Sequence, residues 1–362
     1  MGSEQHRRPS VSPIPLLVKV GPIWDNRFRR LSLTGMDFIG RISGRASGWR
    51  LWGVVLAVVL AGIFSGRAGA ATFDGNTLGD PGTGVCDVTE CTLREAITAA
   101  NGDGEQSTIN FSVSGDIAVN SALPNISTPL TMDGTTAPGW APDAPSVGIS
   151  GVSVPSATAL KVYAQLTFRG IRIAWFKQGV GLSLYPGAAG SIVESSTFGQ
   201  TGTGGVVNRY GLINQANNVM IGGYTAAKRN IFIGSNNNEI ELRLGTGAKI
   251  VGNYIGNTGV AEVNPAFTGT GIGVQSAPSN TVIENNVISG NQHGLSLSTG
   301  NPIEVTDNLI GTTPDGSGPI PNLNGINLNL APPGFVMEGN TVAFNQQQGI
   351  SVSSQVTGVD LT

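Results

Sequence analysis

The chain has 362 residues, 53 of them glycine, with 40% hydrophobic and only 12% charged residues. Charge is unevenly spread: residues 1–70 hold ten Lys/Arg against three Asp/Glu, residues 71–362 hold ten against twenty, and no Lys or Arg comes after Lys249. The acidic balance after residue 70 argues against a nucleic-acid partner, and the glycine count suits a chain with many tight corners.

Leu51–Phe64 is an unbroken apolar run, with Arg41, Arg45 and Arg50 before it and Ala68-Gly69-Ala70 after it. A basic flank, an apolar run and a small-residue site describe a secretory signal peptide. The run is shorter than the roughly 20 residues of a membrane span. Residues 1–70 are therefore expected to be a leader cut after Ala70, and the mature chain to be secreted or held at the cell surface, with no membrane span. An uncleaved anchor is the rival reading. Residues 1–35 are long for such a leader, so Met36 is an alternative start.

Cys86 and Cys91 come soon after. An exported chain meets oxidising conditions, which favours a disulfide; a metal pair would lack other Cys or His nearby to complete it. Next comes Thr92-Leu93-Arg94-Glu95-Ala96-Ile97-Thr98-Ala99-Ala100-Asn101-Gly102. Thr92 and Glu95 have capping-box spacing, and Leu93, Ala96, Ile97 and Ala100 form one apolar stripe. A single helix of about three turns is expected, stopped at Asn101-Gly102.

The stretch Cys86–Asn101, centred on Cys91-Thr92-Leu93-Arg94-Glu95-Ala96, closely resembles the CSLREA domain, with Thr92 in the serine position. Ser107-Thr108-Ile109-Asn110-Phe111, Leu123-Pro124-Asn125-Ile126 and Met132-Asp133-Gly134-Thr135-Thr136 also resemble the segments downstream of that motif in the family. The resemblance covers about 71–140, which is read as an N-terminal cap with the first strands. Residues 141–362 are read as repeats, resuming after a proline-rich stretch with Leu166-Thr167-Phe168 and Ile171-Arg172-Ile173.

The repeats are led by Ser196, Asn230, Asn253, Asn286, Asn308 and Asn340, each opening a short apolar step such as Asn286-Val287-Ile288-Ser289. A second set reads Gly-apolar-x-apolar and begins at Gly271, Gly294, Gly325 and Gly349. Self-similarity at 20–50 residues marks stacked units. Short β-branched alternating segments read as strands, and the spacing leaves no room for crossover helices. The expected fold is all-β, a parallel β-helix behind one short N-terminal capping helix that covers the open first turn. These steps resemble right-handed parallel β-helix repeats of the pectin-lyase-like fold; the hand is implied by the resemblance alone. The leading asparagines either form a side-chain ladder or simply favour turns. No terminal cap is evident after Val352, so truncation, or a partner on the last turn, is expected.

Many relatives with such a fold bind or act on polysaccharides, but the residues must carry the function. Glu194, Glu284 and Glu338 lie two positions before a leading residue, with Lys228, Val251 and Thr306 in the intervening turns. That interruption is poor for a catalytic pair. Glu304 and Asp307 differ by an odd number and are expected on opposite faces. His293, in Asn291-Gln292-His293-Gly294, is faintly like the G-H-G of polygalacturonases, whose other motifs are absent; it reads as an exposed turn residue. Arg169, Arg172, Lys177, Arg209, Lys228, Arg229, Arg243 and Lys249 are the basic groups of the early coils. Of these, Arg243 near Glu239 and Glu241 is the one place for a site in the early coils, and Arg243 with Glu239 reads instead as a strand-surface ion pair. No catalytic, cofactor or metal site is assigned, only the disulfide Cys86–Cys91. The expected function is non-catalytic, binding a polysaccharide or cell-surface glycan or serving the envelope structurally. The alternative is a polysaccharide lyase or glycosidase.

Overall fold

The computed structural model describes residues 70–82, 84–200, 207–259, 269–275, 278–330, 335–354 and 356. The expected signal peptide and the alternative start at Met36 lie outside these residues. From Thr72 onward the described chain winds through three parallel sheets of ten, nine and eight strands. Each full coil gives one strand to each sheet, so neighbours in a sheet are one turn apart in sequence.

The register explains the repeats. In the first sheet Ile109, Met132, Phe168, Val193, Ile221, Ile250, Ile283 and Val305 form one inward column. In the second sheet Ile255 pairs Ile288, Ile288 pairs Ile310, and Ile310 pairs Val342. In the third, Leu182, Leu212, Ile240, Ile272, Leu295 and Ile326 do the same. Nearly all these side chains are fully buried, so three columns of largely aliphatic residues fill the interior. Phe198 and Phe232 stack within it at 4.6 Å.

The leading asparagines form the ladder. Asn253 Nδ2 donates to Asn286 Oδ1 at 3.0 Å, Asn286 to Asn308 at 3.0 Å, and Asn308 to Asn340 at 2.9 Å. Each backbone N–H in the series also donates to the Oδ1 one coil on. A second ladder, Asn291–Asn322–Asn345, joins the second and third sheets. Buried amides are costly unless paired. Stacking pairs each one and ties neighbouring coils together.

The N-terminal end is closed by the helix Leu93–Asp103. The strand Thr72–Gly75 opens the first sheet, whereas the second sheet opens only at Gly115–Ala118 and the third with Ile126 bridging Val162. The helix thus occupies the turn in which those two sheets have no strand. Its apolar stripe joins the core. Thr92 and Glu95 form the capping box, and Glu95 also accepts from Gly84 N at 2.7 Å. These bonds, led by that to the Thr92 backbone, hold the Glu95 carboxyl below its ordinary pKa. Arg94 forks onto Asp80 with two 2.8 Å contacts and donates to the Ser121 and Ala122 carbonyls. Cys86 and Cys91 are disulfide-bonded. The stop differs from the expected one. The helix runs on to Asp103, and Gly104 (φ 75°) takes the left-handed cap, because Gly102 still lies within the helix.

Candidate functional site

Five of the eight basic groups singled out in the early coils have a carboxylate partner. Arg169 meets Asp133, and Arg172 meets Asp116. Lys228 lies in the short helical turn Ala226–Lys228, off the strand column, and reaches Glu194 at 3.3 Å. The position opposite Val251 is instead Gly222. Glu284, Thr306 and Glu338 do share a column, in register with Val251. Asp307 is not on the face opposite Glu304. It lies past its strand at a left-handed corner (φ 55°), so strand parity no longer applies, and both side chains are exposed.

Arg243 pairs with Glu241 at 3.5 Å, not with Glu239. Glu239 stands where neighbouring coils have glycine, since Asn238 pairs Thr270 and Ile240 pairs Ile272 around Gly271. A Cβ at Gly271 would lie 2.6 Å from the Gly294 oxygen and 2.9 Å from Ile288 Cγ2, so that position points inward. Glu239 is accordingly buried. Its carboxyl accepts from Ser235 N at 2.9 Å and Ser235 Oγ at 2.7 Å. Ser235 is in register with Asn208, which fills the same corner one coil earlier through its own amide. An Asn-and-Gly corner has thus become a Ser-and-Glu corner. Burial drives the Glu239 pKa up to about 7 despite these hydrogen bonds. Glu241 is also raised by burial, against the opposing effect of Arg243. His293 opens a strand of the third sheet, half-buried, in register with Thr270 and Asn324. Its Nδ1 lies 2.9 Å from Asn327 Nδ2, and burial lowers its pKa. It is therefore a strand residue with an amide neighbour, not an exposed turn residue.

The outer side of the second sheet offers a different feature. Tyr254, Val287 and Leu309 occupy one outward column, in register with Ile231 on one side and Thr341 on the other. Outward strand positions are ordinarily polar; here three successive coils place apolar groups outside. They floor an open groove of about 440 Å³. The turn carrying Tyr224 and Arg229 forms part of its lining, and Asn285, Asp307 and Pro314 line it too. Tyr224 is 64% exposed, yet its hydroxyl donates to Glu284 Oε2 at 3.0 Å. Hydrogen bonding to Glu284 raises the Tyr224 pKa. Arg229 lies 3.9 Å from the centre of the Tyr254 ring and 3.2 Å from Asp143. It is committed to a stack and an ion pair.

Tyr224, Tyr254 and Arg229 are not grouped by any spacing in the sequence. The signal that could have found the groove is the pair of consecutive apolar residues in Asn286-Val287-Ile288 and Asn308-Leu309-Ile310, where alternation would put a polar residue second. No cluster of three or more metal-ligating His, Cys, Asp or Glu side chains occurs among the described residues. No helix there is long and apolar enough to cross a membrane.

Residues 151–317 match the family described as right handed beta helix region. No curated protein matches the chain. Among solved structures, the Dettilon tailspike protein is 15% identical with a TM-score of 0.44, over 68% of this chain and 44% of that one. The ORF18 protein of Geobacillus virus E2 is 11% identical with a TM-score of 0.34, over 83% of this chain and 64% of the other. The chain thus spans less than two thirds of either structure. Three parallel sheets with one strand of each per coil, together with the family match, define the fold as a right-handed parallel β-helix.

Proposed function

We propose that the protein is a secreted or cell-surface β-helix that binds a glycan without cleaving it, in the groove over the second sheet, behind a CSLREA-type cap on residues 71–140. The observation that carries this reading is the outward column Tyr254–Val287–Leu309. It gives an apolar floor that runs from coil to coil along the solenoid axis. An exposed tyrosine and amide and carboxylate groups stand beside it. Sugar rings present an apolar face and a rim of hydroxyls. An aromatic and aliphatic floor with hydrogen-bonding walls complements both.

A glycosidase is the second reading, favoured by two carboxyl groups near the groove: Asp307 lines it, and Glu284 beside it holds the Tyr224 hydroxyl. Glycoside cleavage needs two carboxyl groups flanking the scissile bond. Glu284 and Asp307 instead belong to the same corner between the first and second sheets, on one edge of the floor. Arg229, the basic group of the groove, is already stacked and paired, so it supplies no ready base for a lyase.

The test is a binding titration of the protein against a panel of polysaccharides, with reducing ends and unsaturated products measured in parallel. Binding without product release is expected, and Tyr224→Ala should weaken it at least roughly tenfold, a typical loss for an interface aromatic. Product release abolished by Glu284→Gln would replace this reading with the enzymatic one.

A further inference from the structure

The groove has a sign as well as a shape. Its lining carboxylate is Asp307, which is exposed; Glu284 stands just beside the lining, its Oε2 taking the Tyr224 hydroxyl and its Oε1 taking Asn285 Nδ2 at 3.2 Å. Both are met by neutral donors or solvent rather than by a Lys or Arg of the described residues. Arg229 lines the groove, but its charge is balanced by Asp143 and its face lies on the Tyr254 ring, and Lys228 is paired with Glu194. Beyond Lys249 the sequence has seven Asp/Glu and no Lys or Arg. The part of the solenoid that carries Val287, Leu309 and Thr341 therefore has no cation of its own to answer an anionic ligand.

We infer that the groove takes glycan segments that are uncharged or amino-bearing, and discriminates against uronate and sulfated chains. This deepens the glycan-binding reading and rests on it. The recognition chemistry is set by the donors and acceptors present. Carboxylates and amide oxygens accept sugar hydroxyls or ammonium groups, and charge-assisted bonds of this kind are the stronger ones. A row of carboxylates or sulfates along the ligand would instead face Glu284 and Asp307 across a partly desolvated floor. Like charges there oppose binding and are a common device of specificity.

The experiment uses the full chain and three groups of purified polysaccharides in chelator-containing buffer: neutral glucans and mannans, deacetylated chitosan, and polygalacturonate with heparin. Tyr224→Ala reports whether binding uses this groove. Glu284→Gln with Asp307→Asn removes the two charges while keeping side-chain shape. The expected binders, sensitive to Tyr224→Ala, fall in the first two groups. Polygalacturonate and heparin should bind roughly tenfold or more weakly at low salt, with the gap shrinking as salt screens it. The double substitution should narrow the same gap. A Tyr224-dependent preference for polygalacturonate or heparin would overturn the inference and leave the groove as a glycan site. Binding of none of the three groups, or binding indifferent to Tyr224→Ala, would remove the glycan reading itself.

Discussion

Glu239→Gln is the most informative single substitution in the coil stack. Glu239 is buried, and its pKa is raised from 4.5 to about 7 by desolvation. In the unfolded chain the same carboxyl titrates near its ordinary value. Below pH 4.5 it is protonated in both states, and the folded state keeps its full advantage. As pH rises toward 7 the unfolded chain sheds this proton while the folded chain must either hold it or bury a charge. Stability is therefore lost across that window and levels off above it. At about 1.36 kcal/mol per pKa unit, the loss is roughly 3 kcal/mol. The glutamine variant cannot titrate at this position and removes the slope, whatever constant cost its extra N–H groups impose. Urea unfolding of both proteins from about pH 4.5 to about pH 8 measures it. Subtracting one curve from the other cancels Glu241, also raised by burial, and His293, lowered by it. Parallel curves would refute the reasoning. A second pair of substitutions tests the geometry without titration: Ser235→Asn with Glu239→Gly rebuilds the corner of the coil before. It should be more stable than either single variant, because Glu239→Gly alone leaves the corner half empty and Ser235→Asn alone overfills it.

Other consequences concern the cap and the ladder. Arg94→Lys keeps the charge but loses the two-pronged contact with Asp80 and the reach to the Ser121 and Ala122 carbonyls; a loss of about 2 kcal/mol is expected, read as a lowered thermal midpoint. Asn286→Ala removes the acceptor of Asn253 N and Nδ2, and the donor to Ile250 O, at a fully buried site. It should cost about 3 kcal/mol or more in urea unfolding, and a neutral result would mean the ladder is incidental. Reduction of Cys86–Cys91, five residues apart, should destabilise by about 2 kcal/mol on loop-closure grounds. The effect should show as earlier proteolysis near the helix, with the coils beyond Leu166 unaffected.

The fold was legible because a solenoid writes its geometry as a period. Ile255, Ile288, Ile310 and Val342 are spaced by whole coils, and stacking them requires nothing beyond the backbone register. The cap was legible for a local reason: Thr92 and Glu95 satisfy helix N–H groups within four residues of each other. The second asparagine ladder was missed although it is equally regular in space. Asn291 and Asn345 come five residues after their first-ladder partners, but Asn322 comes fourteen after Asn308. The loop Thr312–Pro321 is inserted between them, and a fixed spacing cannot see across it. The ion pairs needed three dimensions as well, since Arg229 reaches Asp143 from 86 residues away.

The groove was hidden for the opposite reason, by the regularity itself. A repeat read as Asn-x-Ile-Gly treats x as free, because the first and third positions alone build the ladder and the core. Yet x is the outward position of every second-sheet strand, and whatever it holds is presented to solvent or ligand. Its occupants run Ile231, Tyr254, Val287, Leu309 and Thr341. Were solubility the only demand, polar residues would serve at each. Ile231 and Val287 are nonetheless buried, and Tyr254 and Leu309 half-buried, by walls that rise from the turns between strands. Conformational demands set the inward positions, so they carry little information about a ligand. The outward apolar residues have no such excuse, and for a solenoid they are where a binding function has to be sought.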